Sequence, residues 1–340
     1  MKMQIRILFT GLLLLAVSLA CKMLAGGSEP GGVTSSGELE FNFPTPTPMP
    51  TAVTSCPAIT DEAIRLALVE NAPDRNQPLL DNVLLVRYKI SDEELSDPLF
   101  NPDAGNFEAI QKDVDNQERV WNYFKALIPF DQRKFLSEFI ISSDGKSGLL
   151  AAVAQTNSNP EKWVLMVDLA DTNDPYELTY TFIHEFGHLV TLNPEQVPPS
   201  LEIFKHPDDR TTYFQELAAC FTYFPGEGCS NPGSYIDDFY NEFWLDIYDE
   251  WNKIEFEPDD EQYVESMMAF YEKYQDRFVT DYAVTRPSED IAESFTFFIL
   301  SQKPAGNTIS EKKILFFYDY PELVALRDVI LQNVCQNFPQ

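Results

Sequence analysis

The chain has 340 residues, of which 44% are hydrophobic, and this is enough to bury one large core or two small ones. Its 54 acidic residues outnumber its 24 basic residues, which gives a formal net charge of −30. Such an acidic chain is a poor ligand for the phosphate backbone of nucleic acids and for anionic lipid headgroups. We therefore expect no nucleic-acid partner.

Residues 1–20 have the pattern of a secretory signal peptide. Lys2 and Arg6 precede an apolar run that is short for a membrane span. The run ends in Ser18-Leu19-Ala20-Cys21, which resembles a bacterial lipobox, where the cysteine thiol accepts a diacylglyceryl group. We therefore expect a bacterial lipoprotein, attached to the cell membrane through Cys21 and facing away from the cytoplasm. The alternative is an ordinary signal peptide that is cleaved nearby.

Residues 21–55 predict a disordered tether between the lipid anchor and a folded domain at residues 56–340. They are rich in glycine, serine and threonine and include the run Pro44-Thr45-Pro46-Thr47-Pro48. This composition cannot form a hydrophobic core, and the Pro/Thr run favours an extended backbone.

Four cysteines follow Cys21, and an even number in an exported chain predicts two disulfides. The short separation of Cys220 and Cys229 favours a disulfide that closes a local loop. Cys56 would then pair with Cys335 and join the two ends of the domain. A zinc site made of these four cysteines is the alternative, but the chain contains no C-x-x-C motif.

The hydrophobic pattern predicts a small sheet followed by a helical C-terminal part. Thr60 is expected to cap a short helix, and a longer helix is expected over residues 106–127. The predicted strands cover residues 83–90, 139–142, 149–155 and 163–169. Two aromatic helices are expected at residues 235–254 and 258–278. The predicted fold class is therefore α+β, with a small mixed sheet.

The motif His184-Glu185-Phe186-Gly187-His188 lies in an apolar segment that follows the last predicted strand. Asp174 as N-cap and Pro175 as first residue predict a helix from residue 175 to 192. On that helix His184 and His188 project from one face and can share a Zn²⁺ ion, while Glu185 is placed to act as general base. The alternative is a buried helix that carries two histidines without a metal.

A catalytic zinc needs a third protein ligand, and Glu289 is our candidate. We expect Ser288 to cap a helix on which Glu289 and Glu293 share a face. Glu293 would then hold a ligating imidazole, such as that of His184, in the correct tautomer. Alternatively, the two glutamates are surface acids near a helix start. His206 is expected to be a loop residue rather than a ligand.

The pairing of H-E-F-G-H with Tyr282, Glu289 and Glu293 resembles the gluzincins of the anthrax lethal factor type and is similar to the secreted Pro-Pro endopeptidases. The resemblance implies a zincin-like metallopeptidase fold and a tyrosine, Tyr282, that stabilises the oxyanion. It also implies that an extended peptide adds to the sheet edge nearest the site, for which residues 163–169 are our candidate. About 100 residues separate His188 from Glu289, so residues 195–280 are expected to be an acidic helical insertion.

The sequence therefore predicts a membrane-tethered zinc endopeptidase that acts on a protein or peptide substrate. Its oligomeric state and cleavage specificity are left open. The alternative is a lipoprotein that keeps the zincin scaffold and binds a protein partner without catalysis. Glu185 and Tyr282 favour the enzyme, because binding alone requires neither side chain.

Overall fold

The structure is a computed structural model that describes residues 82–145 and 148–338. The signal peptide, Cys21, the tether, Cys56 and the helix expected after Thr60 lie outside the described residues. The predictions made for them therefore stay predictions. Within the described ranges, no helix is both long and apolar enough to cross a membrane.

Five strands form one mixed sheet in the order β2-β1-β3-β5-β4. Strands β3 and β5 are parallel, and the other neighbouring strands are antiparallel. The strands are β1 (Val83–Ser91), β2 (Glu94–Phe100), β3 (Leu136–Ser143), β4 (Ala151–Gln155) and β5 (Trp163–Asp168). The α+β class, with its small mixed sheet, is confirmed.

Two features of the sheet differ from the sequence-based expectation. Strand β2 was not predicted; it is mostly exposed and pairs only with β1, so it lacks the apolar signal of a core strand. The choice of residues 163–169 as the edge strand was wrong. The chain turns back after residue 155, so that β5 lies between β3 and β4 and β4 forms the edge.

The described chain contains eleven α-helices. They are α1 (Glu108–Lys112), α2 (Val114–Leu127), α3 (Pro175–Thr191), α4 (Leu201–Lys205), α5 (Arg210–Ala219), α6 (Tyr235–Phe243), α7 (Tyr248–Glu255), α8 (Asp260–Tyr274), α9 (Pro287–Leu300), α10 (Ile309–Phe316) and α11 (Pro321–Asn337). The part after residue 195 is mainly helical, as expected. Helices α10 and α11 were not predicted.

Two of the predicted helices are each divided into two. Asp113 ends α1 and caps α2, where its side chain accepts a hydrogen bond from the Asn116 backbone N–H. At this break the Gln117 side-chain amide donates to the carbonyls of Ile110 and Gln111, and the Ile110 carbonyl also accepts a hydrogen bond from the Asp113 backbone N–H. Between α6 and α7, the break allows both Trp244 and Ile247 to be buried.

Helix α3 carries the H-E-x-x-H motif and has the predicted bounds to within one residue. The Asp174 carboxylate accepts hydrogen bonds from the backbone N–H groups of Tyr176 and Glu177, and Pro175 occupies the first helical position. Helix α9 also begins with proline, at Pro287. The expectation that Ser288 is its N-cap was therefore wrong; Arg286 takes that position without a capping side chain.

Helices α3 and α9 pack closely where Gly187 faces Ala292. A Cβ atom on Gly187 would lie 3.2 Å from Ala292 Cα and 3.3 Å from the ring of Phe295. These distances are tighter than ordinary side-chain contacts, so the glycine of the motif allows the two helices to approach. Glu289 and Glu293 are on α9, and the approach therefore brings them to the histidines.

We expect Gly187→Val to force α3 and α9 apart, because the added carbons have no space at this contact. Overpacking of this kind costs about 1–3 kcal/mol in the free energy of unfolding, measured by urea denaturation. Thr181→Val is the control, since it places the same side chain at a half-buried position of the same helix. Equal stability of the two variants would contradict the importance of the close contact.

Candidate metal centre

The two packed helices α3 and α9 bring three side-chain atoms together. His184 Nε2 lies 3.1 Å from His188 Nε2 and 3.2 Å from Glu289 Oε2, and His188 Nε2 lies 3.3 Å from Glu289 Oε2. All three side chains are at least nine-tenths buried. The predicted ligands thus form a nearly equilateral triangle of donor atoms.

The triangle fits a divalent metal ion. Ligand atoms placed tetrahedrally around Zn²⁺, with metal–ligand distances of 2.0–2.1 Å, are about 3.3 Å apart. The His184–His188–Glu289 group could therefore hold a metal ion. Two imidazole nitrogens with one carboxylate oxygen are a ligand set typical of catalytic zinc, which keeps the fourth position open.

Glu293 orients the first histidine. Its carboxylate lies 2.7 Å from His184 Nδ1, so it accepts the Nδ1–H and leaves the Nε2 lone pair directed at the triangle. The Tyr180 and Thr280 hydroxyls also donate to Glu293. Neither Tyr180 nor Thr280 was predicted from the sequence to belong to the site. Tyr180 lies one helical turn before His184, so the same face of α3 carries both.

The second histidine is oriented differently. Its Nδ1 atom is buried and has no hydrogen-bond partner among the described residues. In contrast to His184, His188 is therefore not oriented by a carboxylate at Nδ1 among the described residues. The ring lies edge-on to that of His184, with the ring centres 4.8 Å apart.

The charges of this group stabilise one another. Burial alone would raise the pKa of Glu289, but His188 and His184 hold it well below the ordinary value. Burial would also raise the pKa of Glu293, and the hydrogen bonds from His184, Thr280 and Tyr180 instead lower it. Burial would lower the pKa of His184, yet its contacts with Glu289 and Glu293 raise it well above the ordinary value. The pocket therefore favours positive charge.

Glu185 lies beside the triangle but is not part of it. Its Oε2 accepts a hydrogen bond of 2.8 Å from the backbone N–H of Val153 in the edge strand β4. Burial raises its pKa above the ordinary glutamate value, although His184 and His188 partly oppose the shift. A carboxylate with a raised pKa accepts a proton more readily near neutral pH.

Tyr282 is half-buried and lies just before α9. The centre of its ring is 5.8 Å from that of His184. The tyrosine is thus on the same side of the fold as the proposed ligands. His206 follows α4 and is exposed, as expected for a loop residue.

A second acidic group lies at the end of β5 and consists of Asp144, Asp168 and Asp171. The Asp168 carboxylate already accepts hydrogen bonds from the backbone N–H groups of Asp144 and Ala170. Burial raises the pKa of Asp168 to about 6. These contacts give Asp168 a structural role in the turn that leads to α3.

The Cys220–Cys229 disulfide is present, which confirms that prediction. It closes the loop between α5 and α6. Cys335 lies on α11, and its predicted partner Cys56 is outside the described residues. The second disulfide therefore stays a prediction.

Comparison of the chain with protein-family models, curated proteins and solved structures found no match. The resemblance to the gluzincins therefore rests on the motifs in the sequence.

We expect the purified domain to bind one divalent metal ion, and His188→Ala or Glu289→Ala to abolish binding, because two ligands hold such an ion poorly. Glu293→Gln should weaken the affinity by about 10- to 100-fold, since it removes the acceptor that orients His184. Metal content by mass spectrometry and competition with a chelator measure both effects.

The exposed third histidine provides the control, and His206→Ala should leave the metal content unchanged. If Glu289→Ala kept the full metal content while Glu293→Ala lost it, the roles of the two glutamates would be reversed.

Proposed function

We propose that the chain is a zinc-dependent endopeptidase of gluzincin type with a zincin-like fold. The observation that carries the proposal is the triangle of His184, His188 and Glu289 with a buried glutamate, Glu185, beside it. A site that only binds a metal ion needs His184, His188 and Glu289 and no further carboxylate. Glu185 contributes nothing to the triangle itself, and a proton acceptor at this position suits hydrolysis.

His184, His188 and Glu289 would hold the zinc ion. When bound, zinc polarises a peptide carbonyl and lowers the pKa of the attacking water. Glu185 takes the proton of that water and delivers it to the leaving amine. The Val153 N–H keeps the Glu185 carboxylate in place for both transfers, and Tyr282 donates a hydrogen bond to the developing oxyanion.

Strand β4 provides a backbone edge for an extended peptide. The Val153 N–H points away from β5, towards Glu185, whereas the Leu150 carbonyl accepts a hydrogen bond from Asp168 N and therefore faces β5. Successive residues of an antiparallel strand direct their backbone N–H and C=O groups to opposite sides. The backbone groups of Ala151 and Gln155 therefore point, like those of Val153, to the side of β4 that has no neighbouring strand in the described part of the chain. A substrate that pairs with this edge would place its backbone next to Glu185.

The N-terminal pattern adds a location to the proposal. A lipid on Cys21 and the tether that follows would hold the domain outside the cytoplasm, near the membrane. The substrate is then a protein or peptide that reaches this surface. The other candidate is a protein that binds a partner without catalysis. The variants Glu185→Gln and Tyr282→Phe distinguish it from the enzyme.

Glu185→Gln keeps the shape of the side chain and its contact with Val153 but cannot accept a proton near neutral pH. We expect cleavage of a peptide library to fall by about 10²- to 10⁴-fold, while metal content and melting temperature are retained. Removal of the metal with a chelator should abolish wild-type cleavage and its readdition should restore it. Wild-type activity in Glu185→Gln would refute the peptidase proposal.

Tyr282→Phe removes only a hydroxyl group. We expect kcat to fall by about 10²- to 10³-fold with little change in KM, because the hydrogen bond forms chiefly in the transition state. Tyr180→Phe is the comparison variant, since its hydroxyl contacts Glu293 and its loss should weaken metal affinity instead. An unchanged kcat in Tyr282→Phe at saturating metal would remove the tyrosine from the mechanism.

A further inference from the structure

The hydroxyl group of Thr280 forms two hydrogen bonds, one as donor and one as acceptor. It donates to Glu293 Oε2 at 2.5 Å and accepts from the backbone N–H of Ala283 at 3.2 Å. Burial would raise the pKa of Glu293, but its hydrogen bonds with His184 and Thr280 lower it. The Glu293 carboxylate is therefore ionised and can only accept hydrogen bonds. The single hydroxyl hydrogen of Thr280 must point to Glu293, which leaves its lone pairs for the Ala283 N–H.

The Ala283 N–H belongs to the turn that carries Tyr282. Ala283 is fully buried and is the first residue of a short 3₁₀-helix that leads into α9. The hydroxyl and the backbone N–H of Thr285 both donate to the Tyr282 carbonyl, at 2.8 and 3.1 Å. Trp251 Nε1 of α7 donates to the Thr285 carbonyl at 3.2 Å. The end of this turn is thus held by its own residues and by α7, and its beginning is held by Thr280.

Thr280 completes a closed series of contacts around the first metal ligand. Its hydroxyl contacts Glu293, whose other carboxylate oxygen lies 2.7 Å from His184 Nδ1. The ring centre of His184 lies 5.8 Å from that of Tyr282. Tyr282 in turn precedes Ala283, whose N–H returns to the Thr280 hydroxyl. Because the series closes, the tyrosine turn cannot shift without disturbing either the hydrogen bonds of Thr280 or the contact with His184.

Thr280 differs in its position from the other side chains that contact Glu293. His184 and Tyr180 both lie on α3, so their hydrogen bonds join the two packed helices. Thr280 instead lies two residues before Tyr282, outside both helices. When its hydroxyl is removed, Tyr180 still holds the Glu293 carboxylate, whereas the tyrosine turn loses its bond to that carboxylate. The loss should therefore affect Tyr282 more than it affects the metal ligands.

We propose that Thr280 is a positioning residue that holds Tyr282 against the metal centre, so that the tyrosine hydroxyl meets the developing oxyanion. This inference rests on the proposed endopeptidase function and adds to it a residue that acts through Tyr282. A hydroxyl side chain suits the position because it both donates and accepts a hydrogen bond. Aspartate would cap the turn but would repel Glu293, and valine could form neither hydrogen bond.

Thr280→Val keeps the shape of the side chain and removes both hydrogen bonds, whereas Thr280→Ser keeps both. In the zinc-loaded, full-length protein we expect kcat for a cleaved peptide to fall by about 10- to 100-fold in Thr280→Val with little change in KM, because a small displacement of Tyr282 acts chiefly in the transition state. Thr280→Ser should restore the wild-type kcat. Both variants should still bind one metal ion, measured by mass spectrometry.

A double-mutant cycle determines whether Thr280 acts through Tyr282. We expect Thr280→Val combined with Tyr282→Phe to have the same kcat as Tyr282→Phe alone, because the position of a missing hydroxyl no longer matters. Thr296→Val is the matched control, since the Thr296 hydroxyl donates to the Ala292 carbonyl within α9, at 2.8 Å, and its loss should leave kcat unchanged. Additive losses in the double variant, or a wild-type kcat in Thr280→Val, would overturn the proposal.

Hydrogen exchange of the metal-free, full-length protein tests the same contact without any activity. We expect the Ala283 amide to exchange about ten-fold faster in Thr280→Val than in the wild type or in Thr280→Ser, because its acceptor is lost. If the wild type cleaves no peptide, the endopeptidase proposal fails. Faster exchange confined to residues 281–285 would still support the role of Thr280 in holding the tyrosine turn, and equal exchange in Thr280→Val and the wild type would refute it.

Discussion

The contact between α3 and α9 at Gly187 and Ala292 is the constraint on which the site depends. Two of the three proposed ligands come from α3 by helical spacing alone, but the third comes from α9, about 100 residues later in the chain. The distances of 3.1–3.3 Å among the donor atoms exist because no side chain separates the two helices at their closest approach. A metal ion would then reinforce a contact that packing has already formed.

Helix α9 is held from its other side by buried polar contacts. Asp290 follows Glu289 and accepts hydrogen bonds from Trp244 Nε1 at 2.7 Å and from Lys313, whose side chain is fully buried. The Lys313 ammonium also lies 4.2 Å from the ring centre of Phe278. An ion pair at this depth has a large desolvation cost, so we expect it to contribute little to the stability of the fold. We infer that it instead restricts the rotation of α9 and hence the direction of Glu289.

Local patterns predicted α3 almost to the residue, because the Asp174 cap, Pro175 and the apolar spacing act within one segment. Local patterns did not predict the break at Asp113, where the side chains of Gln111 and Gln117 form hydrogen bonds with Leu85 and Tyr88 of β1. They also did not predict that β4 forms the sheet edge, because this depends on how the chain folds back after residue 155. Tyr180 and Thr280 were missed for a similar reason. Their hydroxyls matter only because the fold brings them to Glu293, and no spacing within the sequence indicates that contact.

The segment at residues 195–280 was described from the sequence as an insertion, but its contacts support the site. Trp244 Nε1 donates a hydrogen bond to Asp290 of α9, and Trp251 Nε1 donates to the carbonyls of Val284 and Thr285, just before α9. The segment thus supports the helix that carries Glu289. Residues distant from the motif in sequence therefore shape the geometry of the proposed ligands.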